Sequence, residues 1–220
     1  MNRIITVKGT GKVSLAPDLI VVSMTLKTVD MEYDKSVQMA SEHLQKLREA
    51  LTGIGFAEDD LKTTNFNVCA EHESRRDEKG NYKSVFVGYA CIHGLKLEFD
   101  FDNKRLSAVL TAVSDCIAEP DLNIRFTVRD KDAASDLLLK NAAENARHKA
   151  EILAAASGVA LGKLVSVHYN WGELDTYSRT GVAMDRKCMA MGNGVDMSIT
   201  PENIDLSDTA AFVWEIKKND

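Results

Sequence analysis

The spacing of hydrophobic residues changes several times along the chain, and each change marks a new secondary-structure element. Over residues 19–29 apolar and polar side chains alternate, which predicts a strand with one buried face. Over residues 31–54 the apolar side chains recur at three- and four-residue intervals, which predicts a helix that ends at Gly53 and Gly55. The chain therefore starts as a strand followed by a helix.

The same alternation predicts further strands and one more short helix. The strands are expected at residues 4–15, 63–73, 83–101, 122–129, 161–168 and 210–217. The strands at 63–73 and 83–101 flank a charged turn, so they are predicted to form a hairpin. Asp102 is expected to cap the short helix, and Gly9 and Gly11 suggest a bulge or bend in the first strand.

The strongest periodic pattern lies at residues 130–162 and predicts one long amphipathic helix. Asp130 or Asp132 can cap its first turn, and Gly158 is the expected left-handed stop. Charged side chains lie opposite a predicted buried stripe, which is formed by Leu138, Leu139, Ala142, Ala143, Ala146, Ala150 and Leu153. Because most of this stripe is alanine, the helix axis is expected to lie close to a flat sheet.

The order of elements predicts an α+β fold, in which helices pack on one face of a mixed, largely antiparallel sheet. No linker rich in Pro, Gly or Ser interrupts the chain before Asn170, so residues 1–220 are expected to form a single domain, or two closely fused subdomains. Residues 171–207 show no sustained periodicity and are predicted to form a long irregular loop, which in compact domains is usually functional or mobile.

Several motifs resemble those of the SIMPL domain family. They include the opening Ile5-Thr-Val-x-Gly9-Thr-Gly11, the dipeptide Gly88-Tyr89 and the run Ala146-Arg-x-Lys-Ala150 on the long helix. The resemblance implies an α+β fold and a tendency to assemble, since relatives include periplasmic immunogenic proteins that form ring-like or channel-like oligomers. Other relatives are linked to tolerance of oxidative stress, and the family has no agreed reaction.

Composition limits the partners of the chain. A net charge of −6 and a pI near 5.4 argue against a nucleic-acid or anionic-membrane surface, because both need concentrated Lys and Arg. No apolar stretch is long enough to cross a membrane, and no signal-peptide pattern opens the sequence. The expected location is therefore cytoplasmic as the sequence is written, or periplasmic or cell-surface if a signal peptide has been removed.

Soft ligands are concentrated in the irregular segment. Cys188, Met189 and Met191 offer a thiolate and thioethers to a soft ion such as Cu(I), although packing of a methionine-rich loop is the favoured interpretation. Cys188 is also the candidate for a reactive thiol. Cys69, Cys91 and Cys116 are expected to be buried and inert, because the first two lie in apolar strands and the third on a helix.

The remaining polar residues form no recognisable catalytic arrangement. Alternation places Glu71 and Glu73 on the face opposite His72, and these residues and His93 are expected at the surface. No catalytic residue, resident metal or cofactor is therefore predicted.

The function expected from the sequence and the resemblance is that of a non-enzymatic, self-assembling SIMPL-domain protein of unknown biochemical role, which the resemblance relates to stress. The alternative is a thiol or soft-metal stress sensor that uses Cys188 and its neighbouring methionines. The expected partners are further copies of the chain, with no nucleic acid.

Overall fold

A computed structural model describes residues 3–76, 81–116, 118–170, 172, 174–184 and 198–218, and over these residues the chain has three α-helices and eight strands. The α+β fold predicted from the sequence is confirmed. The elements in chain order are β1 Ile4–Leu15, β2 Leu19–Asp30, α1 Tyr33–Gly53, β3 Lys62–Arg76, β4 Tyr82–Asp100, α2 Asn103–Ser114, β5 Asp121–Thr127, α3 Lys131–Ala156, β6 Val159–His168, β7 Tyr177–Met184 and β8 Ile204–Lys218.

The chain divides into two compact units. The first, called the α3 unit, comprises Met1–Asp18, Thr127–Arg179 and Pro201–Asp220, and its sheet has the strand order β1-β8-β6. The second, called the hairpin unit, comprises Leu19–Phe126 and Thr180–Thr200. The sheet that it builds has the order β3-β4-β2-β5-β7, so β3 is an edge strand. In the hairpin unit, α1 and α2 bury their apolar stripes against one face of the sheet, in a core that includes Met24, Leu26, Leu47, Leu95, Leu97, Leu106 and Val109.

Helix α3 begins and ends where the sequence predicts. The Asp130 carboxylate accepts a hydrogen bond from the Ala133 N–H at 2.8 Å, and Gly158 follows the helix with a φ of +69°. The buried residues form one ridge of every fourth residue: Ala134, Leu138, Ala142, Ala146, Ala150 and Ala154. Leu153 was expected on the buried stripe but is 48% exposed, because the ridge continues to Ala154 instead. The side chains of this ridge are mostly alanine, so the helix can approach the sheet closely.

The two glycines of β1 allow this close approach, and the bulge predicted at them is wrong. β1 pairs with β8 without a register shift from Ile4 to Leu15. A Cβ atom placed on Gly9 would lie 2.6 Å from the Ala146 Cβ, and one on Gly11 would lie 2.9 Å from the Leu138 carbonyl carbon. Glycine is therefore needed because the α3 backbone occupies the space of a side chain.

The irregular loop predicted at residues 171–207 overlaps two strands, and its residues 171, 173 and 185–197 lie outside the described residues. It contains β7, and β8 already begins at Ile204. The alternation in β7 is weak, and at its midpoint Gly181 lies against the Ile124 carbonyl of β5. Within the described part of the chain, no helix is both long and apolar enough to cross a membrane.

Candidate functional site

The β3–β4 hairpin extends beyond the strands that support it. β2 pairs with β4 only as far as Tyr89, so among the described strands β4 residues 82–88 pair with β3 alone. This two-stranded segment, which joins β3 residues 71–76 to β4 residues 82–88, is called the arm. Nearly all of its side chains are exposed or half-buried on both faces. A two-stranded ribbon with both faces in water is marginally stable on its own, so the arm is a candidate for contact with a partner.

Aromatic side chains line the helix-side face of the hairpin. Tyr33 contacts Tyr89 edge-on with ring centroids 5.8 Å apart, and Tyr89 contacts Phe86 at 5.4 Å. The row continues to His72, whose ring lies 5.6 Å from Phe86. Tyr82 in the arm is 74% exposed. Exposed aromatic clusters of this kind are typical of protein–protein interfaces.

The opposite face of the hairpin carries an ion pair instead. The Lys27 Nζ on β2 and the Glu71 Oε1 on β3 are 2.5 Å apart across β4. Gly88 has a φ of +142°, and a Cβ there would lie 2.6 Å from the Asp30 carbonyl oxygen. The groove beside the pair, of about 420 Å³, is lined by Lys27, Val29, Glu71, Glu73, Arg75 and Val87. Its charges of opposite sign neutralise one another, which favours a solvated polar surface over a site for a charged ligand.

A second groove, of about 770 Å³, runs between α3 and β1 in the α3 unit. Three of its polar side chains form hydrogen bonds with the backbone of β1. Asn145 Oδ1 accepts a hydrogen bond from the Thr10 N–H at 3.1 Å, and Asn141 Nδ2 donates one to the Lys12 carbonyl at 3.0 Å. Lys149 Nζ donates to the Lys8 carbonyl at 3.2 Å. These three side chains, spaced four residues apart on α3, cover the free edge of β1.

The structure corrects the placement of one cysteine. Cys91 and Cys116 are buried, as predicted, and burial raises the pKa of the Cys91 thiol. Cys69, predicted to be buried, is exposed. It alternates in phase with Asn65 and Asn67 along β3, so it belongs to the polar face of the strand. Its exposure follows from the position of β3 at the edge of the sheet, because residues of the other phase, such as Phe66, are exposed as well.

His93 is also placed differently from the prediction. Expected at the surface, it is only 5% exposed and lies on the helix-covered face of β4, in phase with Cys91 and Leu95. A hydrogen bond of 2.9 Å joins its Nε2 to the Thr63 Oγ1. Burial, together with the positive charge of Arg48, lowers the pKa of His93, so the neutral imidazole is favoured. Its neutral state and its hydrogen bond indicate a satisfied core histidine.

The proposed soft ligands Cys188, Met189 and Met191 lie outside the described residues. Over the ranges that are described, no group of three or more His, Cys, Asp or Glu side chains is arranged to hold a metal ion. Glu71 and His72 point to opposite faces of β3, as predicted, since Glu71 meets Lys27 and His72 meets Phe86.

Two known proteins are similar to this chain. One, called "Uncharacterized protein YggE", from Edwardsiella ictaluri, is 23% identical over 169 residues, which cover 76% of this chain and 67% of the relative. The other, the "26 kDa periplasmic immunogenic protein" of Brucella melitensis, is 24% identical over 169 residues, which cover 74% of this chain and 65% of the relative. The chain thus spans about two thirds of the length of each relative. Residues 5–214 match the SIMPL family, which is described as a protein of unknown function (DUF541). The match covers both units, and the chain belongs to the SIMPL family.

Proposed function

We propose that this protein is a non-enzymatic component that works by assembling with further copies of itself. The observation that carries the proposal is the arm of the β3–β4 hairpin, whose two strands have both faces exposed and carry Tyr82 and Phe86. In a monomer these aromatic rings are exposed to water, whereas contact with a neighbouring copy would bury them.

The physical case rests on the cost of the free arm. A hairpin without a third strand or a covering helix gains little from burial, and it pays the conformational entropy of ordering its residues. Each fully buried aromatic ring returns about 1.5–3 kcal/mol through the hydrophobic effect. Covering the rings of Tyr82, Phe86 and Tyr89 with a second copy adds this stabilisation both to the arm and to the association of the two chains.

The proposed location is outside the cytoplasm. The name of the Brucella melitensis relative describes a periplasmic protein, and this supports the exported alternative over the cytoplasmic one. The proposed role under oxidative stress rests on the family resemblance.

Light scattering coupled to size-exclusion chromatography tests the proposal. The mass of the wild type should exceed the 24.2 kDa of one chain and should rise with concentration or stay at a fixed multiple. The double variant Tyr82→Ser and Phe86→Ser should shift toward the monomer, because it removes the exposed rings of the arm. The control Ile152→Ser changes an exposed apolar residue of α3 and should leave the mass unchanged. A wild-type mass equal to one chain at every concentration and salt would contradict the proposal.

A further inference from the structure

The strand edges of the two sheets differ in how they are protected. The edge of β1 is covered by α3, through Asn141, Asn145 and Lys149. The edge strand β6 has register irregularities between Leu161 and Leu164 and between Leu164 and Ser166, which interrupt a continuous pairing edge. β7 is only eight residues long. These are devices by which proteins keep sheet edges from pairing with other chains.

β3 has none of these devices along its middle. It is 15 residues long, and among the described strands it pairs with β4 alone. Its register with β4 is regular from Asn65 to Glu71, and residues 65–70 carry no charge. A long, regular, uncharged edge is a template for another strand.

We propose that β3 pairs with β3 of a second copy, antiparallel, about a twofold axis at Cys69. The inference deepens the proposed function and rests on it, because it places β3, which contributes one strand of the arm, at the contact between two copies. The two five-stranded sheets then continue into one another through their edges. Pairing of two identical edges is self-complementary, so it closes into a dimer with twofold symmetry.

The face of each side chain limits the register. A twofold axis perpendicular to the sheet keeps each face on its own side, so odd-numbered residues of this regular segment must lie opposite odd-numbered ones. An axis at Glu71 or Glu73 places that carboxylate opposite its own copy, which is unfavourable. An axis at Cys69 instead places the neutral Cys69 side chain opposite Cys69 of the second copy. It also uses residues 65–73, which are centred on Cys69, so the flanking basic residues stay outside the paired segment.

The pairs created by this register are favourable on both faces. On the polar face Asn67 lies opposite Glu71 of the second copy, so no like charges face each other there. On the other face Phe66 lies opposite His72 of the second copy, and aromatic cross-strand pairs are stabilising. Within one chain Phe66 already contacts His93 at 5.1 Å and His72 contacts Phe86 at 5.6 Å. The new pair joins these two contacts into one continuous aromatic row, and it covers Phe66, which is 51% exposed in a single chain.

A charge placed on the axis tests the register directly. Cys69 is exposed, so Cys69→Lys and Cys69→Ser should both fold. Two lysines directly opposite each other should weaken the dimer about fivefold relative to Cys69→Ser, because like charges in a cross-strand pair are destabilising. An equimolar mixture of Cys69→Lys and Cys69→Glu should associate at least as tightly as Cys69→Ser, since the opposite charges then face each other. Dissociation constants from analytical ultracentrifugation give the comparison.

Cross-linking with a short bismaleimide supplies an independent test. In a Cys188→Ser background the two Cys69 thiols should be bridged to a covalent dimer, because opposite residues of paired strands have Cα atoms about 4.5–5.5 Å apart. The control carries Cys69→Ser with Asn65→Cys. It should give no bridged dimer, since the two introduced thiols would lie eight residues apart along the strands, about 27 Å.

The outcomes separate this inference from the proposed function. A monomeric wild type would contradict both the β3 pairing and the proposed self-assembly. Assembly of the wild type, with Cys69→Lys as tightly associated as Cys69→Ser, would overturn the β3 pairing and leave self-assembly through another surface. Stronger bridging at position 65 than at position 69 would overturn the register.

Discussion

The edge strands β1 and β3 differ in how their unpaired backbone groups are covered. Both leave backbone N–H and C=O groups on one side without a neighbouring strand among those described. On β1 the groups meet side chains of α3, and Gly9 and Gly11 let that helix come close enough to reach them. On β3 the corresponding edge is flanked by exposed side chains and no helix covers it within the described residues. The comparison suggests that the edge of β1 is closed within the chain, while that of β3 is kept for a second copy.

The largest effect is expected from a substitution in β1, at the edge that α3 covers. Gly9→Ala should lower the free energy of unfolding by about 3 kcal/mol or more, because its Cβ would lie 2.6 Å from the Ala146 Cβ in a close-packed contact. Gly53→Ala is the matched control, since a Cβ there meets nothing within 4 Å. Urea unfolding measures both. Equal destabilisation by the two substitutions would mean that α3 does not lie this close to β1.

Enlarging the helix side of the same contact should have a somewhat smaller effect. Ala146→Leu should cost about 2 kcal/mol through overpacking, because Ala146 is fully buried against the sheet. Glu144→Gln, on the exposed side of α3, should change stability by less than about 0.5 kcal/mol. Thermal melts with matched baselines compare the two, and a larger loss for Glu144→Gln would show that the wrong face has been assigned.

Removing one of the hydrogen bonds by which α3 covers β1 should lower the free energy of unfolding by a smaller amount. Asn145→Ala leaves the Thr10 N–H without its side-chain acceptor and should destabilise the protein by about 1 kcal/mol. Asn67→Ala, at the exposed edge of β3, is the corresponding change and should leave the stability of the monomer unchanged. Chemical unfolding at low protein concentration is the measurement. A cost for Asn67→Ala as large as that for Asn145→Ala would contradict the distinction between the two edges.

The smallest expected effect concerns the base of the hairpin and its dependence on pH. The pKa of His93 is lowered in the folded state by burial and by Arg48, so the unfolded chain binds a proton more readily. The contribution of His93 is fully present above the unfolded pKa of about 6.5 and is lost as the pH falls below it. Stability stops falling for this reason once the pH is below the pKa that His93 has in the folded protein. His93→Gln should flatten this part of the stability profile, and a profile with unchanged slope would show that other groups cause it.

Much of this fold was predictable because the signals are local. The carboxylate of Asp130, the left-handed Gly158 and the alanine ridge mark α3 in the sequence, and Asp102 caps α2 through the N–H groups of Lys104 and Arg105. Alternation likewise locates β2 and β4. Such signals depend only on neighbours in the chain, so they can be recognised without knowledge of tertiary contacts.

The features that were missed depend on partners distant in sequence. Gly9 and Gly11 resemble a bend, and only the approach of α3 shows why they lack side chains. His93 was misplaced because residue type was given more weight than strand phase, which assigns it to the buried face. Cys69 was misplaced because the edge position of β3, which leaves both of its faces exposed, depends on the order of strands in the sheet. β7 was missed because its alternation is weak and its pairing with β5 is remote in the chain. Soft-ligand chemistry at Cys188 remains a prediction, since that residue lies outside the described ranges.

Hydrogen exchange followed by mass spectrometry at several protein concentrations tests the distinction between the two edges most directly. Peptides that contain β1 should be protected to the same degree at every concentration, because α3 covers that edge within one chain. Peptides that span residues 65–73 should exchange faster in dilute protein and become protected as assembly proceeds, and Cys69→Lys should reduce this gain. Protection of residues 65–73 that stays constant while the mass rises from one chain to several would contradict the account.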